Sequence, residues 1–269
     1  VLAKVAELPA RSVRYLEAGS GQPMVLLHAW PLSADQWLPQ LHRLPARTRL
    51  VAPDLPGFRG GGPAFADPGP SARLTMTDYA RQVLTLMSHL EIDRAIVAGV
   101  SMGGYVAMAM LREAPARIAG LVLANTRATP DSAEGRAGRD RTIDLVKRQG
   151  VAAVAREVVP KLLGATTRRE QPDLEDAVRR LIEANSVEGI AAAIGAIRDR
   201  PDSTPLLPSV TCQTIIIAGD EDVVVPRDEA EAMHRAIAGS RLLVLPRVGH
   251  LSNLEDPRAF SEALCGFDI

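Results

Sequence analysis

Ala-Ile-Val-Ala-Gly-Val-Ser-Met-Gly-Gly-Tyr-Val-Ala-Met-Ala-Met-Leu runs from Ala95 to Leu111. Its first part, Ala95–Gly99, is a short apolar run without alternation, the pattern of a strand covered on both faces. Met102–Ala114 reads as a helix, and from Met102 to Leu111 its residues are apolar almost all round, which predicts a helix buried on every side. Gly99-Val100-Ser101-Met102-Gly103 joins the two and fits G-x-S-x-G. A strand that turns at once into a buried helix forces the residue between them into a strained backbone and exposes its side chain at the sheet edge. A Cβ at Gly99 or Gly103 would press on neighbouring backbone. The helix N-terminus points unpaired N–H groups at the serine and favours negative charge there. Ser101 is therefore the candidate nucleophile.

Outward from this turn the pattern repeats. Met24–His28, Arg49–Pro53, Gly120–Ala124, Thr214–Gly219 and Arg241–Leu245 also read as buried strands, and Ser12–Glu17 alternates like a less covered one. Met76–Leu90, Asp228–Ile237 and Asp256–Cys265 read as helices. Strands alternating with helices predict an α/β fold with a mostly parallel central β-sheet flanked by helices. The alternation stops after Ala124 and resumes at Thr211, a gap of roughly eighty residues that is too long to be a structureless loop. Its pattern is helical: Leu174, Ala177, Val178, Leu181 and Ile182 form one stripe, Val187, Ile190, Ile194 and Ile197 another, and Ile143–Leu163 a third stretch with Pro160 near its end. The expectation is a core domain of residues 1–125 and 209–269 with a helical cap, 126–208, over the carboxyl edge of the sheet.

The whole chain has 269 residues, 46% of them hydrophobic, with 31 Lys and Arg against 32 Asp and Glu. That balance argues against nucleic-acid or anionic-membrane partners, which leave a basic excess. No apolar run is long enough to span a bilayer. Val1–Ala18 mixes charges through its apolar residues, unlike a signal peptide, and a cytoplasmic location is expected. Cys212 and Cys265 are too few for a disulfide framework and are expected to be buried, reduced thiols. The five histidines show no ligand spacing, so no metal is expected, and nucleophilic chemistry at Ser101 needs no cofactor.

A serine hydroxyl needs a base. His250, in Gly249-His250-Leu251, follows the strand Arg241–Leu245 and falls at the carboxyl end of the sheet, where open α/β sheets hold their sites. His42 and His234 sit among polar helix positions and read as surface residues, and His89 lies near a helix end. The acid that orients the base should also follow a strand. Asp220, Glu221 and Asp222 compete for that place, while Asn125, at the other strand end, is neutral. An oxyanion formed by attack on a carbonyl needs preorganised donors. One is the Met102 N–H. The other should come from His28-Ala29-Trp30-Pro31, where Pro31 cannot donate and Trp30 N–H can. His28 and Trp30 are candidates for the substrate pocket, which an Ala-, Leu-, Val- and Ile-rich cap would make mainly apolar.

Taken together these segments resemble the α/β-hydrolase family over nearly the whole chain. His28-Ala29-Trp30-Pro31 is similar to the family's His-Gly-x-Pro oxyanion loop, with Ala29 in place of its glycine. Ala52-Pro53-Asp54-Leu55-Pro56-Gly57-Phe58, Gly99–Gly104, Gly219-Asp220-Glu221-Asp222 with Pro226, and Gly249-His250 occur in the family's order. The resemblance implies that Asp222, third after the strand-ending glycine, is the acid. Gly57-Phe58-Arg59-Gly60-Gly61-Gly62 lacks the Lys-Ser/Thr of a phosphate-binding loop and reads as structural. Serine at 101 disfavours the family's dehalogenase and epoxide-hydrolase branches, which use an aspartate. The resemblance therefore implies a carboxylesterase for small or medium esters, with enol-lactonase or cofactor-free perhydrolase chemistry as the alternative. Two further alternatives remain. Arg136, Arg139, Arg141, Lys147 and Arg148 could dock an acidic carrier protein bearing an acyl chain. The fold could also serve a ligand receptor that does not turn over.

Overall fold

The computed structural model describes residues 1–9, 11–44, 47–59 and 73–267. Gly60, Gly61 and Gly62 of the glycine-rich loop lie outside them. Eight strands, β1 (Leu2–Glu7), β2 (Ser12–Ala18), β3 (Gln22–Leu27), β4 (Thr48–Pro53), β5 (Ala95–Val100), β6 (Ile118–Ala124), β7 (Gln213–Gly219) and β8 (Arg241–Leu245), form one sheet in the order β1-β2-β4-β3-β5-β6-β7-β8. β1 and β2 pair antiparallel, as do β2 and β4, and every pairing from β4 to β8 is parallel. Every residue of β5 is buried, so both faces of the sheet are covered at its centre.

The helices between the strands are α1 (Leu38–Arg43), α2 (Met76–His89) and α3 (Met102–Glu113) in the first half of the chain. Between β6 and β7 lie α4 (Ala133–Gln149), α5 (Val151–Leu162), α6 (Ala165–Glu170), α7 (Pro172–Glu183) and α8 (Val187–Arg198). α9 (Arg227–Ala236), α10 (Ser252–Glu255) and α11 (Pro257–Leu264) complete the chain. α3 is buried from Met102 to Leu111. It packs against β5, β6, β3 and α2 and forms the centre of the molecule.

The order of the strands fixes where a site can form. From β3 the chain moves outward to β4, then returns past β3 to begin β5 on its other side. The loops leaving β3 and β5 therefore diverge from neighbouring strand ends, Leu27 beside Gly99, and leave a crevice between them. The backbones approach closely there. A Cβ on Gly103 would collide with Leu27 O, and one on Gly99 with the Gly103 carbonyl.

Some expectations from sequence need correction. β1 is a strand that the mixed composition of its residues concealed; it is a sheet edge with Leu2 and Val5 more than half exposed. The helical stretch expected over Ile143–Leu163 is divided between two helices, α4 and α5, at Gly150, whose φ of 78° a helix cannot continue through. The helix expected from Asp256 is preceded by the one-turn α10. Neither cysteine is buried, because each lies where its element ends: Cys265 is exposed at the C-cap of α11, and Cys212, just before β7, is half-buried. His42 is exposed, whereas His234 is half-buried and its Nδ1 lies 2.8 Å from Ser240 Oγ.

Candidate active site

Ser101 stands between β5 and α3 with φ 53° and ψ −112°, a left-handed conformation that costs a non-glycine residue on the order of 1–3 kcal/mol. The surroundings hold it there. Its N–H donates to Ala124 O at 2.9 Å, and its carbonyl accepts from Gly104 N–H and Thr126 Oγ1, both at 2.9 Å. The side chain is left partly accessible at the crevice.

His250 Nε2 lies 2.8 Å from Ser101 Oγ, and His250 Nδ1 lies 2.8 Å from Asp222 Oδ2. The His250 and Asp222 side chains are each 1% exposed, so this ion-pair geometry is shielded from water. Asp222 is the first residue to leave the β7 end with its carboxylate turned inward. Its Oδ1 accepts the N–H groups of Val224 and Val225 at 2.8 and 3.0 Å. Burial pushes its pKa up, but the His250 ring and these donors outweigh that and hold it below the ordinary carboxylate value.

The three acids left open by sequence have separate partners. Asp220 Oδ1 accepts the Arg247 N–H at 2.6 Å, bracing the turn before His250. Glu221 accepts from both the N–H and the hydroxyl of Thr166 on α6, and these bonds lower its pKa. Asp222 alone reaches His250 among the three.

Two further residues belong to this constellation, one that the sequence reading sets aside as neutral and one that it does not single out. Asn125, which follows β6 with φ 47°, donates from Nδ2 to Asp222 Oδ2 at 3.0 Å and to Gly249 O at 3.1 Å. Its Oδ1 accepts from Ser252 Oγ at 2.5 Å. Its neutrality marks it as a donor to the acid rather than a rival for its place. Glu255, on α10, is buried and accepts the N–H groups of Gly249 at 2.9 Å and Leu251 at 3.0 Å, on either side of His250. It also accepts the Gly164 N–H at 2.8 Å from the inserted helices. Burial pushes its pKa up against these donors. No local motif announces either role: the partners of Asn125 come from distant segments, and Glu255 reaches the nearby Gly249 and Leu251 only through the fold of a one-turn helix.

On the opposite side of Ser101, the loop after β3 is fastened by Ala29 N–H to Gln36 Oε1 at 2.8 Å and by Gln36 Nε2 to Asn253 Oδ1 at 2.9 Å. The backbone N–H groups of Trp30 and Met102 have no protein acceptor among the described residues. The Trp30 indole donates to Ile190 O of α8 at 3.2 Å, which orients the ring.

A cavity of about 160 Å³ adjoins Ser101 and His250. Trp30, Tyr105, Val158, Leu162, Ile197 and Val224 supply its apolar wall. It is less apolar than expected, because Arg139, Thr142, Glu157 and Lys161 also line it. His28, expected to face the substrate, does not line this cavity. It is fully buried, its Nε2 accepts the Leu55 N–H at 3.1 Å, and its Nδ1 faces Ala29 O at 3.0 Å. Those partners require the proton on Nδ1, and burial lowers its pKa to about 4. It ties the loop after β3 to the loop after β4.

Two of the five basic residues of α4 are paired within the chain. Arg136 bonds Asp199 and Arg139 bonds Asp131, each at 3.0 Å; Arg136 is nonetheless exposed, as are Arg141, Lys147 and Arg148. Among the described residues, no helix is long and apolar enough to cross a membrane, and no group of three or more His, Cys, Asp or Glu side chains could hold a metal ion.

Residues 24–263 match the sequence model of the alpha/beta hydrolase family, and the chain belongs to that family. Its structure is similar to that of a thermophilic esterase from Thermogutta terrifontis in its malate-bound form, with a TM-score of 0.91, 35% identity, and coverage of 98% of this chain and 97% of that one. It is also similar to the enol-lactonase from Burkholderia xenovorans LB400, with a TM-score of 0.87, 27% identity, and coverage of 97% and 98%. In sequence it is 26% identical over 258 residues to the pimeloyl-[acyl-carrier protein] methyl ester esterase of Pectobacterium carotovorum, covering 93% of this chain and 96% of that protein.

Proposed function

We propose that this protein is a serine carboxylesterase that hydrolyses small to medium esters through an acyl-enzyme on Ser101. The observation that carries the reading is the unbroken chain from Ser101 Oγ to His250 to Asp222, with 2.8 Å at each link. Ser101 Oγ attacks the carbonyl carbon as His250 Nε2 takes its proton, and ionised Asp222 holds the ring and stabilises its positive form. The oxygen of the tetrahedral intermediate is held by the N–H groups of Met102 and Trp30, each such donor being worth about 3 kcal/mol. His250 returns the proton to the departing alcohol. Water then attacks the acyl-enzyme by the same route and frees the acid.

In this reading residues 126–208 are a cap that closes the cavity over a core of residues 1–125 and 209–269. Its location is cytoplasmic, in keeping with two unpaired thiols, Cys212 and Cys265. A lactone is an ester closed on itself and meets the same groups. The likeness to an enol-lactonase across 97% of the chain makes lactone opening the second reading. A carrier-docking role loses support from α4, because Arg136 and Arg139 are engaged within the chain.

The test is steady-state hydrolysis of p-nitrophenyl esters from acetate to decanoate by the wild type and Ser101→Ala. The wild type should turn over many times and the variant should lose at least about a thousandfold in kcat/KM. A variant as active as the wild type would remove Ser101 from the chemistry, and a single slow turnover with retained product would point to a receptor instead.

A further inference from the structure

Arg139 of α4 lines the cavity beside Ser101 and His250, and its guanidinium is only partly engaged. Its Nε donates to Asp131 Oδ2 at 3.0 Å, while its two terminal amino groups have no hydrogen-bond partner among the described residues. Asp131 has other counter-charges besides Arg139. Arg200 Nη1 holds Asp131 Oδ1 at 2.9 Å, with both side chains 3% exposed, and Arg127 lies 3.9 Å away. The acid partner nearest Arg127 besides Asp131 is Glu229, also at 3.9 Å. Arg127, Arg139 and Arg200 against Asp131 and Glu229 form a cluster with one positive charge in excess, and Arg139 is its member that lines the cavity. The other charges lining it, Lys161 and Glu157, face each other at 3.6 Å and offset one another.

A guanidinium anchored through Nε presents its two amino groups end-on as a parallel pair, the geometry that a carboxylate accepts. We propose that the substrate carries a carboxylate in addition to its ester or lactone group, and that Arg139 binds it. The proposal rests on the hydrolase reading of the same cavity and names the class of substrate it takes. The apolar wall covers the carbon chain, and the anchored guanidinium sets how far the second anionic group stands from Ser101.

The test compares kcat/KM for anionic and neutral esters of equal length. One arm sets monomethyl succinate, glutarate and adipate against methyl esters ending in methyl. The other sets acetate esters of hydroxy acids against acetates of plain alcohols. Wild type, Arg139→Leu, Arg139→Lys and Ser101→Ala are each measured on both arms. A charge-assisted pair predicts a preference for the anionic ester of roughly tenfold to a hundredfold in at least one arm. Arg139→Leu should bring that ratio near one, and Arg139→Lys should keep part of it. The ratio is taken within one preparation, so loss of folded protein does not alter it. A wild-type ratio near one in both arms, or an unchanged ratio in Arg139→Leu, overturns the carboxylate site. Turnover of neutral esters under those conditions leaves the hydrolase reading standing. No hydrolysis of any ester, with wild type equal to Ser101→Ala, overturns both.

Discussion

His28 is a histidine that folding keeps neutral. Full burial lowers its pKa to about 4, against about 6.5 in the unfolded chain. Between those values the unfolded state binds more protons than the folded one, so stability falls as pH drops from about 6.5 to about 4. The loss from this group is on the order of 3 kcal/mol across that window. Urea denaturation at pH 7 and pH 4.5 should show it in the wild type, and His28→Asn should flatten this part of the slope; an equally steep decline in the variant would assign the acid sensitivity elsewhere. Asn125 acts in the opposite sense, by supporting a charge. Its Nδ2 donates to Asp222 Oδ2, which helps hold that carboxylate ionised. Asn125→Ala should cost roughly tenfold in kcat/KM, the worth of a hydrogen bond to a charged group, and move the acid limb of the pH–rate profile upward. An unaltered rate and profile would show that Asp222 manages without it. His28 was legible as a strand-ending histidine, but not its direction: one neighbour, Leu55, is supplied by a loop that sequence places only by inference. Asn125 was legible as the residue after β6 but not as a partner of the acid, because Asp222 stands 97 residues away.

Among the elements, α10 is the least visible in sequence and bears most directly on the base. It is one turn long, too short for a periodic pattern, yet it carries Glu255, whose carboxylate gathers the N–H groups of Gly249, Leu251 and Gly164. The catalytic loop of the proposed mechanism and the inserted helices thus share one buried acceptor. Glu255→Gln turns one acceptor oxygen into a donor facing N–H groups, and leaving such a group unsatisfied costs about 1–3 kcal/mol. At roughly 2–4 °C per kcal/mol for a chain of this size, melting should fall by several degrees and hydrolysis should weaken with it. A variant with wild-type melting and kinetics would show that the loop is held by other means. The longer elements were plain in sequence where burial was uniform. β5 and α3 are apolar on every side because every side is covered, and the serine turn between them results from that. β1 was hidden because an edge strand need not be apolar, and the break at Gly150 because an apolar pattern continues through it.

On the scale of the whole molecule, the sheet order brings three distant stretches to one edge. β3 and β5 diverge at the switch point and set Trp30 beside Ser101, while β7 and β8 deliver Asp222 and His250 from the other side. The inserted helices are fastened across that edge by Trp30 to Ile190, Asn185 to Pro31, Thr166 to Glu221, and Leu251 to Leu162. This convergence was readable in sequence as strand ends carrying Ser, Asp and His, because strand ends on a parallel sheet share an edge. The lining of the cavity was not, since it depends on which side chains of α4, α5 and α8 turn inward. The central claim is that this edge activates one serine. The most direct measurement is mass spectrometry of the intact chain after reaction with a p-nitrophenyl alkylphosphonate, with subsequent mapping of the modified peptide. The account predicts one adduct per chain, on Ser101, absent in Ser101→Ala and formed far more slowly in His250→Ala. An adduct on another residue, or ester hydrolysis that continues with Ser101 unmodified, would contradict it.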